Sequence, residues 1–197
     1  MAAEITNSRE IVVPARTHVW LAKVGTPAPA DATVEMPTGW KSVGLTTEDS
    51  LKFKEEPDFE SVKSAQTDFP SRTFQTSEAA TLEVDLQQWN GRNFVAVFGG
   101  GSITEISTGT EGKDAKHYKF TPPPIGGRSE IAALIEVVDG GKCYRYVFPR
   151  TMQMEGVEAE LQKSKESVLP LRLAVQGGDG SDAWYMLTND PAFAPAV

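Results

Sequence analysis

The chain has 197 residues, 40% of them hydrophobic and 23% charged, which is enough apolar material for a core and too little charge for global disorder. Its formal net charge of −8 works against tight binding of nucleic acid, which needs Lys and Arg at the phosphates, and against adhesion to an anionic membrane. A single cysteine, Cys143, excludes an internal disulfide and suits synthesis in a reducing cytosol.

In chain order the expectations are mostly strands. Residues 1–10 are polar and aperiodic and read as an N-terminal arm. Residues 1–30 carry no signal-peptide pattern, since the apolar stretch Ile11–Val13 is short and Pro14 ends it. No run approaches the length of a membrane span. His18–Val24 is aromatic and β-branched and reads as a strand, and the proline-rich residues 25–39 form a loop. Leu51 and Phe53 alternate with Lys52 and Lys54. Residues 55–71 then lose the pattern and carry Pro57 and Pro70, which predicts a long inter-strand loop.

The clearest half-buried strand lies within Arg72–Gln87. There Leu82, Val84 and Leu86 face one way, and Thr81, Glu83, Asp85 and Gln87 the other. Gln88–Phe98 is the helix candidate, stopped by Gly99–Gly101. A hairpin is expected across residues 102–120, turning near Gly109–Lys113, and residues 121–127 are a break. Ile131–Val138 and Lys142–Phe148 flank Asp139-Gly140-Gly141, a strong hairpin signal. Val157, Ala159 and Leu161 alternate with Glu158, Glu160 and Gln162. That predicts a strand, although the composition of residues 155–167 also favours a helix. Leu169–Val175 and Trp184–Leu187 are the last strands, parted by a Gly/Asp turn, and residues 188–197 form a C-terminal tail. The fold class is mainly β, with one helix and one long loop in a single domain.

Chemical motifs are missing. The sequence has no phosphate-cradling glycine loop with lysine, no H-E-x-x-H and no C-x-x-C. His18 and His117 are far apart, and neither has ligand spacing, so no metal or other cofactor is expected. Gly178–Asp182 lacks the spacing of a calcium loop. Carboxylate pairs such as Glu55/Glu56, Glu83/Asp85 and Glu158/Glu160 sit at spacings that any solvated strand supplies. Cys143 lies inside a strand and reads as a core filler. The chain is expected not to be an enzyme.

The stretch Gly39-Trp40-Lys41-Ser42-Val43-Gly44-Leu45-Thr46-Thr47-Glu48-Asp49-Ser50-Leu51 resembles the opening of the major tail tube proteins of long-tailed, siphovirus-type bacteriophages, particularly those of actinobacteria. Ser50 stands where that pattern commonly has glycine. Arg72–Val84, Leu86–Gly99, Ala133–Phe148 and Pro149–Glu160 resemble that family's later elements in the same order. The resemblance implies a β-sandwich-like, tail-tube-type fold with a flanking helix. It also implies a virion protein made in the host cytoplasm, whose homo-hexameric rings stack into a non-contractile tube. Its partners would be further copies, the tape measure protein, the tail terminator and distal tail proteins, and DNA passing non-specifically through the lumen.

Six subunits giving four strands each would close a barrel of roughly 50 Å backbone diameter, wide enough for a duplex. An acidic lumen would let DNA slide without sticking. Lumen-facing candidates are Lys52, Lys54, Glu83, Asp85, Glu158 and Glu160, with Leu82, Val84, Leu86, Val157 and Leu161 packing inward. Candidates for the contact between rings are Glu55, Glu56, Asp58, Phe59, Asp68 and Phe69 in the long loop. The alternatives are another tail component of related fold (distal tail, terminator or contractile-tail tube protein), a non-viral β-sandwich binding module, and a hydrolase using paired carboxylates.

Overall fold

Alternating apolar and polar residues build strands in this chain wherever one face can be buried. The computed structural model describes residues 8–106, 116–177, 180 and 182–195. A 3-10 turn at Ser8–Glu10 precedes β1 (Arg16–Lys23), β2 (Lys41–Ser42), β3 (Lys52–Val62) and β4 (Arg72–Leu86). Then come α1 (Gly91–Val97), β5 (Ser102–Ile106), β6 (His117–Thr121), β7 (Glu130–Asp139), β8 (Lys142–Gln153), β9 (Leu169–Val175) and β10 (Tyr185–Thr188). A second 3-10 turn at Pro191–Phe193 follows. Among the described residues the chain is mainly β and antiparallel, with one α-helix, in keeping with a β-sandwich. Its contacts divide into two compact units.

The first unit comprises Met1–Gly44, Glu130–Thr151 and Gln176–Val197. Here β1 lies between β2 and β7, β7 neighbours β8, and β10 pairs with β8. Ala132, Ala133, Leu134 and Ile135 on β7 are all buried, so both faces of the sheet are covered there. One face carries Trp20, Ala22, Ala132, Leu134 and Val147. It is covered by Ala28, Met36 and Trp40, so the proline-rich loop is a packed lid.

Trp40 Nε1 donates to Pro27 O at 2.8 Å. Arg145, 6% exposed, pairs with Glu136 at 2.7 Å and donates to the carbonyls of Asp31 and Val34 at 2.9 and 2.7 Å. A buried cation is tolerable only when paired and hydrogen-bonded in this way. Thus Arg145 ties the lid to the sheet.

The C-terminal residues are clasped to the β7–β8 turn. Tyr144 Oη donates to Asp190 Oδ2 at 2.5 Å, Lys142 Nζ lies 2.8 Å from Asp190, and Asn189 Nδ2 donates to Gly141 O at 2.9 Å. Lys142, then Tyr144 and the Ala192 N–H, hold the Asp190 carboxyl down to about 2. The hydrogen bond to Asp190, then burial, pushes the Tyr144 hydroxyl up to about 12.

The second unit comprises Leu45–Ser129 and Met152–Val175. Here β4 pairs with β3 on one side and β9 on the other. Leu82, Val84 and Leu86 on β4, and Leu169, Leu171 and Leu173 on β9, are each at most 1% exposed. The helix α1 packs against β9. It is shorter than the expected Gln88–Phe98 because the Asn90 side chain accepts from Asn93 N and caps it there. Trp89, Phe94, Phe98 and Phe120 form a chain of aromatic contacts with centroids 5.2–5.8 Å apart. Gly99, Gly100 and Gly101 have φ of 70°, 133° and 104°, end the helix and turn the chain into β5. The hairpin across residues 102–120 forms as β5 and β6, and its expected turn lies outside the described residues.

Two expectations need correction. Residues 55–71 are not one loop: β3 continues to Val62, β4 begins at Arg72, and only residues 63–71 connect them. The period disappears because residues 55–62 and 72–79 are exposed on both faces, so nothing demands alternation. Pro57 is tolerated within β3, paired with Glu78, because a strand edge does not need every N–H. Conversely, residues 157–161 alternate but form neither strand nor helix. Leu161 is 75% exposed and does not pack inward, while Val157 is half-buried. Alternation without a neighbouring ladder to join does not make a strand.

At Gly101 an added Cβ would lie 2.5 Å from Thr121 O, whereas at Gly156 it would meet nothing within 4 Å. Gly101→Ala is expected to cost about 1–3 kcal/mol by urea denaturation, and Gly156→Ala less than about 0.5 kcal/mol. The Asp190 carboxyl is depressed from 3.8, so the clasp's stabilisation is present above that value and lost as pH falls through about 2. The Tyr144 hydroxyl is raised from 10.0, so its share is present below pH 10 and lost as pH rises through about 12. Tyr144→Phe should abolish the alkaline loss and raise the Asp190 pKa, read by melting temperature against pH and by carboxyl NMR titration.

Candidate assembly site

Strand β4 contributes to two different surfaces. Its second half, Thr81–Leu86, pairs with β9 throughout and with β3 as far as Glu83, and its first half belongs to a two-stranded arm with β3. The arm's eight residues from 55 to 62 span about 26 Å at the usual rise. A two-stranded hairpin alone is marginal in water, and this one is held by polar side chains. Ser61 and Thr73 hydroxyls are 3.0 Å apart, those of Ser64 and Ser71 2.6 Å, and Ser77 Oγ donates to Asp58 Oδ2 at 2.9 Å.

Register pairs Asp58 with Ser77 but Phe59 with Gln75, leaving Thr76 as the extra residue of a β-bulge. Phe59 and Gln75 therefore share one face, while Glu60 and Phe74, and Val62 and Arg72, share the other. Phe59, Val62, Phe69 and Phe74 are 61%, 51%, 82% and 39% exposed. Four large apolar side chains on one thin arm are more than scattered surface residues normally show.

Of the loop candidates, Glu55, Glu56, Asp58 and Phe59 lie on β3, whereas Asp68 and Phe69 lie in the connecting turn. Glu56 pairs with Lys54 at 2.5 Å, an exposed ion pair of little energetic weight. Sequence reading missed Val62 and Phe74, whose exposure follows from the absence of a buried face.

The second surface is the face of β3, β4 and β9 opposite the leucines. Register places Lys52 beside Glu83, Lys54 beside Thr81, and Glu83 beside Arg172. Arg172 Nη2 lies 2.7 Å from Asp85 Oδ1, its Nε 4.0 Å from Glu83, and its Nη1 donates to Val84 O at 3.0 Å. Gln153 Oε1 accepts from Arg172 N at 2.8 Å. Asp85, Glu155, Glu158, Glu160 and Glu166 line one open depression with Lys165 and Arg172. Five carboxylates against two cations make it negative.

The structure thus gathers Asp85 with Glu158 and Glu160, although the latter two come from irregular backbone. It also places Lys52, Lys54 and Glu83 on the same face of the sheet as Asp85. On this second surface, Arg172 is the residue the sequence left unmarked. Its signal was its place between Leu171 and Leu173, which puts it on the polar face of β9.

Burial, followed by the charge of Glu136, pushes the Cys143 thiol up, away from thiolate chemistry. Among the described residues no group of three or more His, Cys, Asp or Glu is placed to hold a metal ion, and no helix is long and apolar enough to cross a membrane.

Comparison with protein families matches the chain to the family described as phage tail tube protein, over residues 4–197. No curated protein matches the chain.

Arg172 is the cation that neutralises Asp85 and Glu83 from within the sheet. Arg172→Met should leave those carboxylates uncompensated and cost about 1–3 kcal/mol in chemical denaturation. Asp85→Asn in the same background should recover part of that loss, because the pair acts together.

Proposed function

The chain belongs to the phage tail tube protein family, and on that basis we propose that it builds the non-contractile tail tube of a long-tailed bacteriophage. The membership makes it a structural virion component that assembles with copies of itself, and it points to a non-enzymatic protein. In the proposed assembly, six copies form a ring and rings stack. The tube encloses the tape measure protein, ends at terminator and distal tail proteins, and conducts DNA during ejection.

The observation that carries this reading is the arm of β3 and β4, a long hairpin with four exposed apolar side chains and no core of its own. Such an element, marginal by itself, gains stability when its apolar side chains are buried against a further surface, here assigned to another chain. We assign it to the contact between successive rings, with Phe59, Asp68 and Phe69 at the interface and Glu55, Glu56 and Asp58 along its stem. The charged face bearing Lys52, Lys54, Glu83 and Asp85, with Glu158 and Glu160 in the depression beside it, is assigned to the lumen. An excess of carboxylates there would keep phosphates from adhering to the wall.

Purified protein should form rings or tubes with a central channel in negative-stain micrographs. Replacing residues 59–76 by an Asn-Gly turn joins Asp58 to Ser77, which already face each other in register. That variant should stay folded, with its melting temperature nearly unchanged, and form no tubes. Normal tubes from it would remove the arm from the contact between rings.

A further inference from the structure

The tip of the arm carries a chemical pattern that another part of the second unit complements. Phe69, 82% exposed, is the most exposed aromatic residue among the described ones, and Asp68 and Pro70 flank it. Asp68 has no ion pair or hydrogen bond among the described residues. Thr67 Oγ1 donates to Phe69 O at 2.9 Å, and the Ser64–Ser71 contact closes the turn below it. The tip is therefore shaped before it meets anything, which lowers the ordering cost of docking.

The complement is a groove lined by Phe98, Met152, the Pro122–Pro124 run and Ile125, with Arg128 at its side. Ile125 is fully exposed. Arg128 is exposed but fixed. Its Nη1 donates to Gln153 O at 2.6 Å and Glu155 O at 3.0 Å, and its stem lies over Gly99, where an added Cβ would come within 3.2 Å. These partners are carbonyls, and Arg128 faces no carboxylate among the described residues. An immobilised guanidinium beside an apolar groove calls for an occupant with an apolar side chain next to an acid. The sequence Asp68-Phe69-Pro70 is that occupant.

We infer that the groove of Phe98, Met152 and Ile125, with Arg128, receives the Asp68–Phe69 tip of a second copy of this chain. Phe69 fills the groove and Asp68 pairs with Arg128. This deepens, and rests on, the proposal that the arm joins successive rings: it names where the arm lands.

Cross-linking in a Cys143→Ser background tests it. Gln66→Cys marks the tip without altering Asp68 or Phe69, and Ile125→Cys marks the groove. The two proteins are mixed and treated with a short bis-maleimide. The expected product is the mixed dimer, in excess over either self-linked species. Phe69→Ser or Asp68→Lys at the tip, or Ile125→Glu in a groove paired with a Pro124→Cys marker, should each lower its yield at least tenfold while melting temperatures hold. Reversing Arg128 risks the loop it pins, so the tip variants carry the test of charge.

Tubes that form without the tip-to-groove cross-link overturn the docking and leave ring stacking standing. A specific cross-link from protein that never forms tubes keeps the docking and sinks the stacking. Dominant Ile125–Ile125 linkage means that the groove faces its own copy, and it overturns the inference.

Discussion

The packing of β4 against β9 through their leucines is the contact on which the second unit depends. Leu82, Leu86, Leu169, Leu171 and Leu173, with Val84, leave water completely or nearly so. Each such side chain contributes about 1.5–3 kcal/mol of burial, before the cost of ordering the chain is deducted. Because side chains alternate, burying this face fixes the opposite one. A slip of one residue would drive Glu83, Asp85 and Arg172 into the core and put the leucines in water. The charged surface is therefore set by an apolar contact on its reverse side. The same contact anchors the arm, since β4 continues without a break from the buried half into the exposed half.

The first unit uses polar groups where the second uses leucines. Arg145 carries the lid of residues 25–40, and Asp190 carries the C-terminal residues. Both charges are nearly removed from water, and both are fully engaged by partners distant in sequence. Such networks add little net energy compared with apolar packing, but they penalise any arrangement that leaves one partner behind. They make the positions of loop and tail specific.

Where burial dictated pattern, the sequence was readable. Leu82–Leu86, Leu169–Val175 and the Asp139-Gly140-Gly141 hairpin appear where alternation and turn chemistry place them. The arm was hidden for the opposite reason: with both faces in solvent, its strands carry no period, and the two prolines suggested a loop. Residues 157–161 misled in the other direction, since their alternation has no ladder to join. Among candidate site residues, the grouping of Glu83 and Asp85 followed from period alone. Arg172 did not, because its role depends on β9 pairing with β4 across more than eighty intervening residues. The pairing of distant charges, as in Arg145 with the lid, is a tertiary fact without a local signal.

Thr76, the extra residue in the arm, shows how much the pairing of a single residue could do where a change of composition would do little. Were Thr76 taken into the ladder instead, opposite Phe59, then Phe74 would fall opposite Ser61 and move to the face that carries Phe59. With it bulged out, Phe74 lies diagonally across from Val62 on the other face. Bulging out one residue thus keeps an apolar contact on each side of the arm, where pairing it would put both aromatics on a single side. Divergence among arms of this kind would then turn on whether an extra residue is bulged out or taken into the ladder, the latter exchanging the faces of everything beyond it on that strand. Two relatives could share nearly every residue of the arm and still present opposite surfaces.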